Sequence, residues 1–185
     1  MATVTDRTWI DDTLTGATFS ECRRYRLVLW RRWMDCPVSE MVAFCGVNPS
    51  KATEQVNDNT VRRCIRFAKD WGFGGYIMLN LFAWRETDSD IMRKVPEPIG
   101  NDNDAAILWV AQNCGKFIAS WGGDGNHLDR DLAVLDLLKT AGIDLYNIGM
   151  TTPKPPTRPQ PRHPLFIRAA TQPTLWIPGK AAASV

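Results

Sequence analysis

Residues 41–50 read MVAFCGVNPS, a nearly continuous apolar run that stops at an Asn-Pro-Ser turn. Such a run predicts a β-strand that is buried on both faces, and Pro49 cannot continue a central strand. The strand therefore ends near Val47 and leaves Asn48 at an edge of the sheet. An amide at this position can hold a water molecule or a substrate carbonyl, or it can serve only to form the turn.

Further apolar runs lie downstream, and helical patterns separate them. Helix and strand alternate from residue 41 to 148, which predicts parallel βαβ units with helices on both faces of the sheet. The predicted fold is α/β, a three-layer α/β/α domain around a central, mainly parallel four-stranded sheet. The predicted strands are 41–47, 76–82, 116–121 and 143–148, and the predicted helices are about 60–70, 103–114 and 128–141.

The flanking segments are less regular. Residues 17–34 place apolar residues among arginines and predict an edge hairpin or strand. The Pro-rich residues 153–164 form either a solvated polyproline II linker or a stiff loop laid across the top edge of the sheet. Residues 165–178 read as a short closing segment. We expect one domain over 1–185, with an N-terminal segment 1–16, a core of about 17–178 and a frayed tail at 179–185.

Composition narrows the class of protein. The 185 residues are 44% hydrophobic and 23% charged, which is typical of a globular chain. A net charge of +2 is too small to indicate nucleic-acid binding by itself, although a basic groove can be hidden in it. The five cysteines have no metal-ligand spacing, so we expect reduced thiols, a cytoplasmic protein, and no metal or cofactor. No signal peptide is recognisable, and no apolar stretch approaches the about 18 residues that span a membrane.

Polar residues follow the predicted strands at one edge of the sheet, where ligands bind in parallel α/β folds. Asn80 interrupts the apolar run YIMLNLF, and a buried amide is costly unless it is hydrogen-bonded. Asn80 can therefore read one edge of a base or tie down a neighbouring loop. His163 can donate to an oxygen that gains negative charge, or it can be a surface histidine of the loop.

Short segments at these strand ends resemble the uracil-DNA glycosylase superfamily. Gly46-Val47-Asn48-Pro49-Ser50 resembles the Gly-x-Asn-Pro-Gly motif of its mismatch-specific branch. The segment from Leu79 to Arg85 resembles Leu-Asn-x-x-Leu-Thr-Val-Arg of the uracil-specific branch. Trp121-Gly122 and His163-Pro164 resemble its later motifs. More closely, residues 17–178 resemble domain-of-unknown-function family 1643, whose pattern combines Asn-Pro-Ser, Asn-Leu-Phe-Ala and a final His-Pro-Leu.

The resemblance implies a DNA glycosylase-type enzyme that hydrolyses the N-glycosidic bond of a base in a single strand or flipped from a duplex. Asn48 would orient the attacking water, Asn80 would read the base, and His163 would stabilise charge on the departing base. Asn48 and His163 are thus the expected catalytic residues. The expected substrate-binding residues are Gly46, Pro49, Ser50, Asn80, Phe82, Trp84, Arg85, Trp121 and Gly122. The expected contacts to nucleic-acid phosphates are Arg62, Arg63, Lys154, Arg158 and Arg162.

The chain departs from the glycosylase motifs at several positions, including Trp84, which is new before the motif's Arg, and the two that follow. Ser50 replaces the motif's Gly, and Leu165 follows His163-Pro164 in place of Ser. These departures favour an unusual or modified base as substrate. Two alternatives stay open: a non-catalytic module that binds DNA or nucleotides in the same pocket, and an enzyme that acts on a free nucleotide.

Overall fold

The computed structural model describes residues 8–50, 52–152, 158–177 and 179. Lys154 and nearly all of the tail predicted to fray lie outside these residues. Within them, one sheet holds seven strands and four α-helices accompany it. The strands are β1 (Thr15–Phe19), β2 (Arg26–Arg32), β3 (Met41–Gly46), β4 (Gly75–Asn80), β5 (Lys116–Ala119), β6 (Leu145–Asn147) and β7 (Thr174–Ile177). The helices are α1 (Asn59–Asp70), α2 (Ser89–Met92), α3 (Asn103–Asn113) and α4 (Arg130–Thr140).

The four strands predicted from the apolar runs are β3, β4, β5 and β6, and they are parallel to one another. The sheet is nevertheless wider than predicted, with the order β1-β2-β4-β3-β5-β6-β7. β1 and β2 form the edge hairpin that was predicted for residues 17–34, and it extends the sheet beside β4. β7 pairs with β6 at the other edge. All three strands pair antiparallel, so the sheet is mixed and has seven strands rather than four. The added strands satisfy the backbone groups that β4 and β6 would otherwise leave unpaired at the edges.

Both faces of the central strands β3 and β4 are buried, as their continuous apolar runs predicted. Successive side chains of a strand point to opposite faces, so Ala43 and Phe44 of β3 belong to different core clusters. On the face of Phe44, α1 packs with its buried residues Val61, Cys64, Phe67 and Ala68. On the face of Ala43, α3 and α4 pack instead. The helices therefore cover the two faces of the sheet and do not cover its carboxyl edge.

The described part of the Pro-rich segment, residues 158–164, crosses that carboxyl edge. The N–H of Thr151 donates to the carbonyl of Gln160 at 2.8 Å, and the N–H of Arg162 donates to that of Gly149 at 2.8 Å. The N–H of Gly122, which has a left-handed φ of +72°, donates to the carbonyl of Pro161 at 2.7 Å. Residues 158–163 therefore form the loop across the sheet edge, which was one of the two predictions for this segment. None of the helices in the described ranges is long and apolar enough to cross a membrane.

A candidate pocket at the carboxyl ends of the parallel strands

A pocket of about 560 Å³ lies beyond the carboxyl ends of β3, β4 and β5. The chain leaves β3 for β4 on one side and later returns to β5 on the other, and ligands bind at such a switch point in α/β sheets. The structure brings eight of the predicted site residues to this pocket. They are Gly46, Asn48, Ser50, Asn80, Trp121, Gly122, Arg162 and His163.

Asn80 is the last residue of β4, and its side chain is only half satisfied. Its Oδ1 accepts a hydrogen bond from Nη2 of Arg26 at 3.1 Å. Its Nδ2 is buried and has no hydrogen-bond partner among the described residues, and the whole residue is only 1% exposed. An unpaired buried donor is costly, by about 1–3 kcal/mol. Because Asn80 lines the pocket, a ligand with an acceptor atom would remove this cost.

Arg26, the first residue of β2, lines the same pocket, and sequence reasoning missed its role. It is 2% exposed and also donates from Nη1 to the carbonyl of Ala52 at 3.0 Å. No carboxylate among the described residues forms an ion pair with it. Burial lowers the pKa of Arg26 to about 10, so the guanidinium keeps its charge at neutral pH. The pocket therefore contains a buried positive charge that favours electron-rich oxygen atoms.

Asn48 and Ser50 are held by neighbouring segments on the other side of the pocket. Nδ2 of Asn48 donates to the carbonyl of Glu86, which leaves Oδ1 as the part of this amide that can accept from a water or a ligand. Ser50 Oγ donates to Oδ2 of Asp58. Oδ1 of Asp58 accepts from the N–H of Val61 at 2.8 Å and thereby caps α1. The start of α1 thus fixes a carboxylate in the wall of the pocket.

His163 follows the loop that crosses the sheet edge. Its Nδ1 accepts from the N–H of Leu165 at 3.4 Å, so the neutral imidazole carries its proton on Nε2. Burial lowers the pKa of His163, and the carboxylate of Asp58 opposes that shift. The neutral imidazole is therefore favoured, and its Nε2–H is available as a donor.

A buried hydrogen-bond chain positions this loop. Nε1 of Trp121 donates to Oε1 of Gln160 at 2.7 Å, and Nε2 of Gln160 donates to Oδ2 of Asp131 at 2.7 Å. Asp131 also accepts from Nε of Arg158 at 2.8 Å. Sequence reasoning missed Gln160 and Asp131, because an Asp in the first turn of a helix and a Gln between prolines carry no local signal of pairing.

Four of the residues predicted to bind substrate do not line the pocket. Phe82 is fully buried in the core and packs 5.5 Å from the ring of His127. Trp84 and Arg85 line a separate groove next to the pocket. The cause is local: the N–H groups of Leu81 and Phe82 donate to the carbonyls of Gly46 and Val47, which carries the chain past the pocket after Asn80. Pro49 is buried at the turn and does not line the pocket.

The predicted phosphate contacts have mixed outcomes. Arg62 is exposed on α1, and Arg162 lines the pocket. Arg63 donates to the carbonyl of Ile167 and stacks on Phe67. Arg158 forms ion pairs with Asp129 and Asp131, so its charge is already balanced. A run of basic residues in a sequence does not reveal which carboxylates the fold brings to it.

This fold and pocket define an α/β protein with a candidate ligand site at the switch point of its sheet. The family model described as "Protein of unknown function (DUF1643)" matches residues 24–165, and the chain belongs to this family. None of the curated proteins and none of the solved structures matches the chain.

Proposed function

We propose that this protein is a base-directed enzyme of the DNA glycosylase type, which hydrolyses the N-glycosidic bond of an unusual or modified base. The observation that carries the proposal is the unpartnered Nδ2 donor of Asn80 at the wall of the pocket. A nucleobase offers ring nitrogens and carbonyl oxygens that accept from such a donor. Arg26 supports this role because its bond to Oδ1 determines which end of the amide stays free.

The proposed reaction uses a positioned water and a set of hydrogen-bond donors. The water oxygen attacks C1′ of the sugar, the C1′–N bond breaks, and its electron pair moves to the base. The water leaves its hydroxyl on C1′ and its proton goes to the base. Asn48 Oδ1 would hold the water. Asn80 Nδ2, the Arg26 charge and His163 Nε2 would stabilise the negative charge that develops on the base.

The side chains at the entrance to the pocket support the proposal that the substrate base has left its stack. Leu165 and Phe166 line it and are 45% and 75% exposed. Apolar and aromatic side chains at an entrance can stack on bases of an opened strand. The helices on both faces of the sheet are consistent with the three-layer arrangement of the uracil-DNA glycosylase superfamily, and that likeness remains part of the proposal. So does a cytoplasmic location, supported by five free cysteines.

A second candidate function is an enzyme or binding protein directed at a free nucleotide in the same pocket. It is favoured by the ion pairs of Arg158 with Asp129 and Asp131, which reduce the positive surface predicted for a DNA backbone. Salt dependence separates the two. Binding through several phosphates of a single strand weakens with a log–log slope of about −0.7 per contact, whereas one nucleotide gives a far smaller slope.

The deciding experiment is an abasic-site assay. Single- and double-stranded oligonucleotides carrying uracil, hypoxanthine, hydroxymethyluracil or glycosylated pyrimidines are incubated with the protein and then treated with alkali. We expect strand cuts at one class of base, loss of those cuts in Asn48→Ala with DNA affinity retained, and no change in the exposed control Asn113→Ala. No cuts across the panel, together with nucleotide binding that salt barely affects, would favour the second candidate.

A further inference from the structure

A second groove, of about 340 Å³, adjoins the main pocket, and Ser50 and Thr87 line both. Its other lining side chains include three arginines and one indole. They are Arg23, Arg24, Arg85 and Trp84. The groove is therefore a continuation of the pocket with a basic and aromatic wall.

The backbone holds the three arginines together. Arg23 and Arg24 lie in the turn between β1 and β2, which the N–H of Ser20 closes by donating to the carbonyl of Tyr25 at 3.0 Å. Arg23 adopts a left-handed φ of +55°, which is uncommon for a residue with a side chain. The N–H of Arg85 donates to the carbonyl of Arg24 at 2.9 Å, and its Nη1 donates to that of Arg23 at 3.0 Å. The segment after β4 and this turn therefore position each other.

Aromatic rings support the guanidinium groups. The Cζ atoms of Arg23 and Arg85 lie 4.3 and 4.8 Å from the centroid of the Phe19 ring. The Cζ atom of Arg24 lies 5.6 Å from the centroid of Trp84. Stacking on a ring restricts a guanidinium while leaving its N–H edge free to donate. These arginines are thus arranged as donors before any ligand arrives.

The positive charge of the groove is incompletely balanced. Arg23 forms an ion pair with Glu54 at 2.7 Å. The other nearby carboxylate, Glu86, accepts from the backbone N–H groups of Thr87 and Asp88. Neither Arg24 nor Arg85 pairs with a carboxylate in the described part of the chain, and Nε of Arg85 is buried without a hydrogen-bond partner. A cluster of like charges in this state attracts an anion with several acceptor oxygens.

We propose that the arginine groove (Arg23, Arg24 and Arg85) binds phosphodiester groups of the nucleic-acid strand whose base occupies the main pocket. The indole of Trp84 offers a face on which a neighbouring base stacks. This inference rests on the proposed function, since it takes the occupant of the pocket to be a base. It moves the phosphate contacts from the predicted Arg158 to arginines of the turn between β1 and β2 and of the segment after β4.

The test measures binding of a fluorescent single-stranded oligothymidylate at several salt concentrations. Arg24→Gln is the primary variant because Arg24 is exposed. Arg24→Gln/Arg85→Gln is the second variant, and thermal unfolding verifies that it is folded. Arg66→Gln is the control, an exposed arginine of α1 that pairs with Asp70. We expect the double variant to bind about 10-fold more weakly and its log–log salt slope to become shallower by roughly 1 or more. Affinity and slope equal to those of the control would overturn the proposal.

Two further measurements distinguish the possible failures. If thymidine monophosphate loses affinity in the variants by the same factor as the oligonucleotide, the groove binds a free nucleotide phosphate, and the strand proposal is wrong. Base cleavage by every variant is also measured on the abasic-site panel. Weaker strand binding in the variants without cleavage by the wild type would support the groove and contradict the glycosylase proposal. Cleavage by the wild type, together with unchanged strand binding in the variants, would support the glycosylase proposal and contradict the groove.

Discussion

Nη2 of Arg26 donates to Oδ1 of Asn80 at 3.1 Å, across the pairing between β2 and β4. This one hydrogen bond orients the amide and leaves Nδ2 buried, with no partner in the part of the chain that the structure describes. It also holds the guanidinium of Arg26 in the lining of the pocket. None of the carboxylates of the described residues forms an ion pair with this group. The pair therefore presents hydrogen-bond donors to the pocket, and acceptor atoms of a ligand would be favoured beside it.

Asn80→Asp tests the two ends of this side chain separately. The carboxylate still accepts from Arg26, but the free donor is lost. We expect the substrate that responds in the abasic-site panel to bind more weakly by about 1–3 kcal/mol, while the midpoint of thermal unfolding does not fall. Asn113→Asp, at an exposed position of α3, is the matched control. Unchanged affinity in Asn80→Asp would mean that Nδ2 does not contact the ligand.

Asp131→Asn tests the chain of hydrogen bonds that positions the loop before His163. Asp131 is buried and accepts from both Arg158 and Gln160, so the variant should lose about 1–3 kcal/mol of unfolding free energy. Asp136→Asn, on an exposed face of α4, is the control and should change little. Denaturant titration measures both.

The difference in unfolding free energy between the wild type and Asp131→Asn should depend on pH. Burial acts to raise the pKa of Asp131, but the hydrogen bonds from Arg158 and Gln160 outweigh it and hold the pKa below 3.8. Because the folded state keeps the carboxylate charged longer than the unfolded state does, its stabilisation is present above pH 3.8 and decreases as the pH falls. The stability advantage of the wild type over Asp131→Asn should shrink in acid. An advantage that stays constant would argue against the ionised pair.

His163 should also make stability depend on pH, in a higher range. Burial lowers its pKa in the folded protein. As the pH falls through the ordinary pKa of 6.5, the unfolded chain therefore takes up this proton before the folded chain does. The free energy of unfolding should therefore fall, relative to His163→Asn, as the pH drops from about 8 to 5. Urea titration at each pH measures the difference between wild type and variant. A difference that does not vary with pH would contradict a half-buried, neutral His163.

Cys22 should be the reactive thiol of this chain. It is exposed, and hydrogen bonds from Ser20 and from the backbone and side chain of Arg24 lower its pKa to about 7. Burial raises the pKa of Cys45 and of Cys114 to about 12. Alkylation by iodoacetamide should thus occur first at Cys22, with a half-maximal rate near pH 7. Mass spectrometry locates the adduct, and Ser20→Ala should slow the reaction at neutral pH. Equal labelling of all cysteines would contradict this assignment.

The order of helices and parallel strands from residue 41 to 148 follows from the sequence by itself. Apolar runs and the spacing of Val61, Cys64 and Ala68 are local patterns, and burial of both sheet faces preserves them in the structure. The position of the pocket follows as well. Parallel strands end at one edge, so Asn48, Asn80 and Trp121 had to lie near one another once the sheet formed.

Only the tertiary structure decided how the sheet is completed and how its polar groups pair. Arg26 and Asn80 are 54 residues apart, and Asp131 and Arg158 are 27 apart. No periodic pattern encodes such contacts, because they depend on which strand lies beside which. The same reason explains why the predicted hairpin of β1 and β2 joins the sheet beside β4 and why β7 pairs with β6. It also explains the burial of Phe82 and the placement of Trp84 and Arg85 in the arginine groove. Local hydrophobic spacing determines the elements of this protein, and non-local pairing determines the chemistry between them.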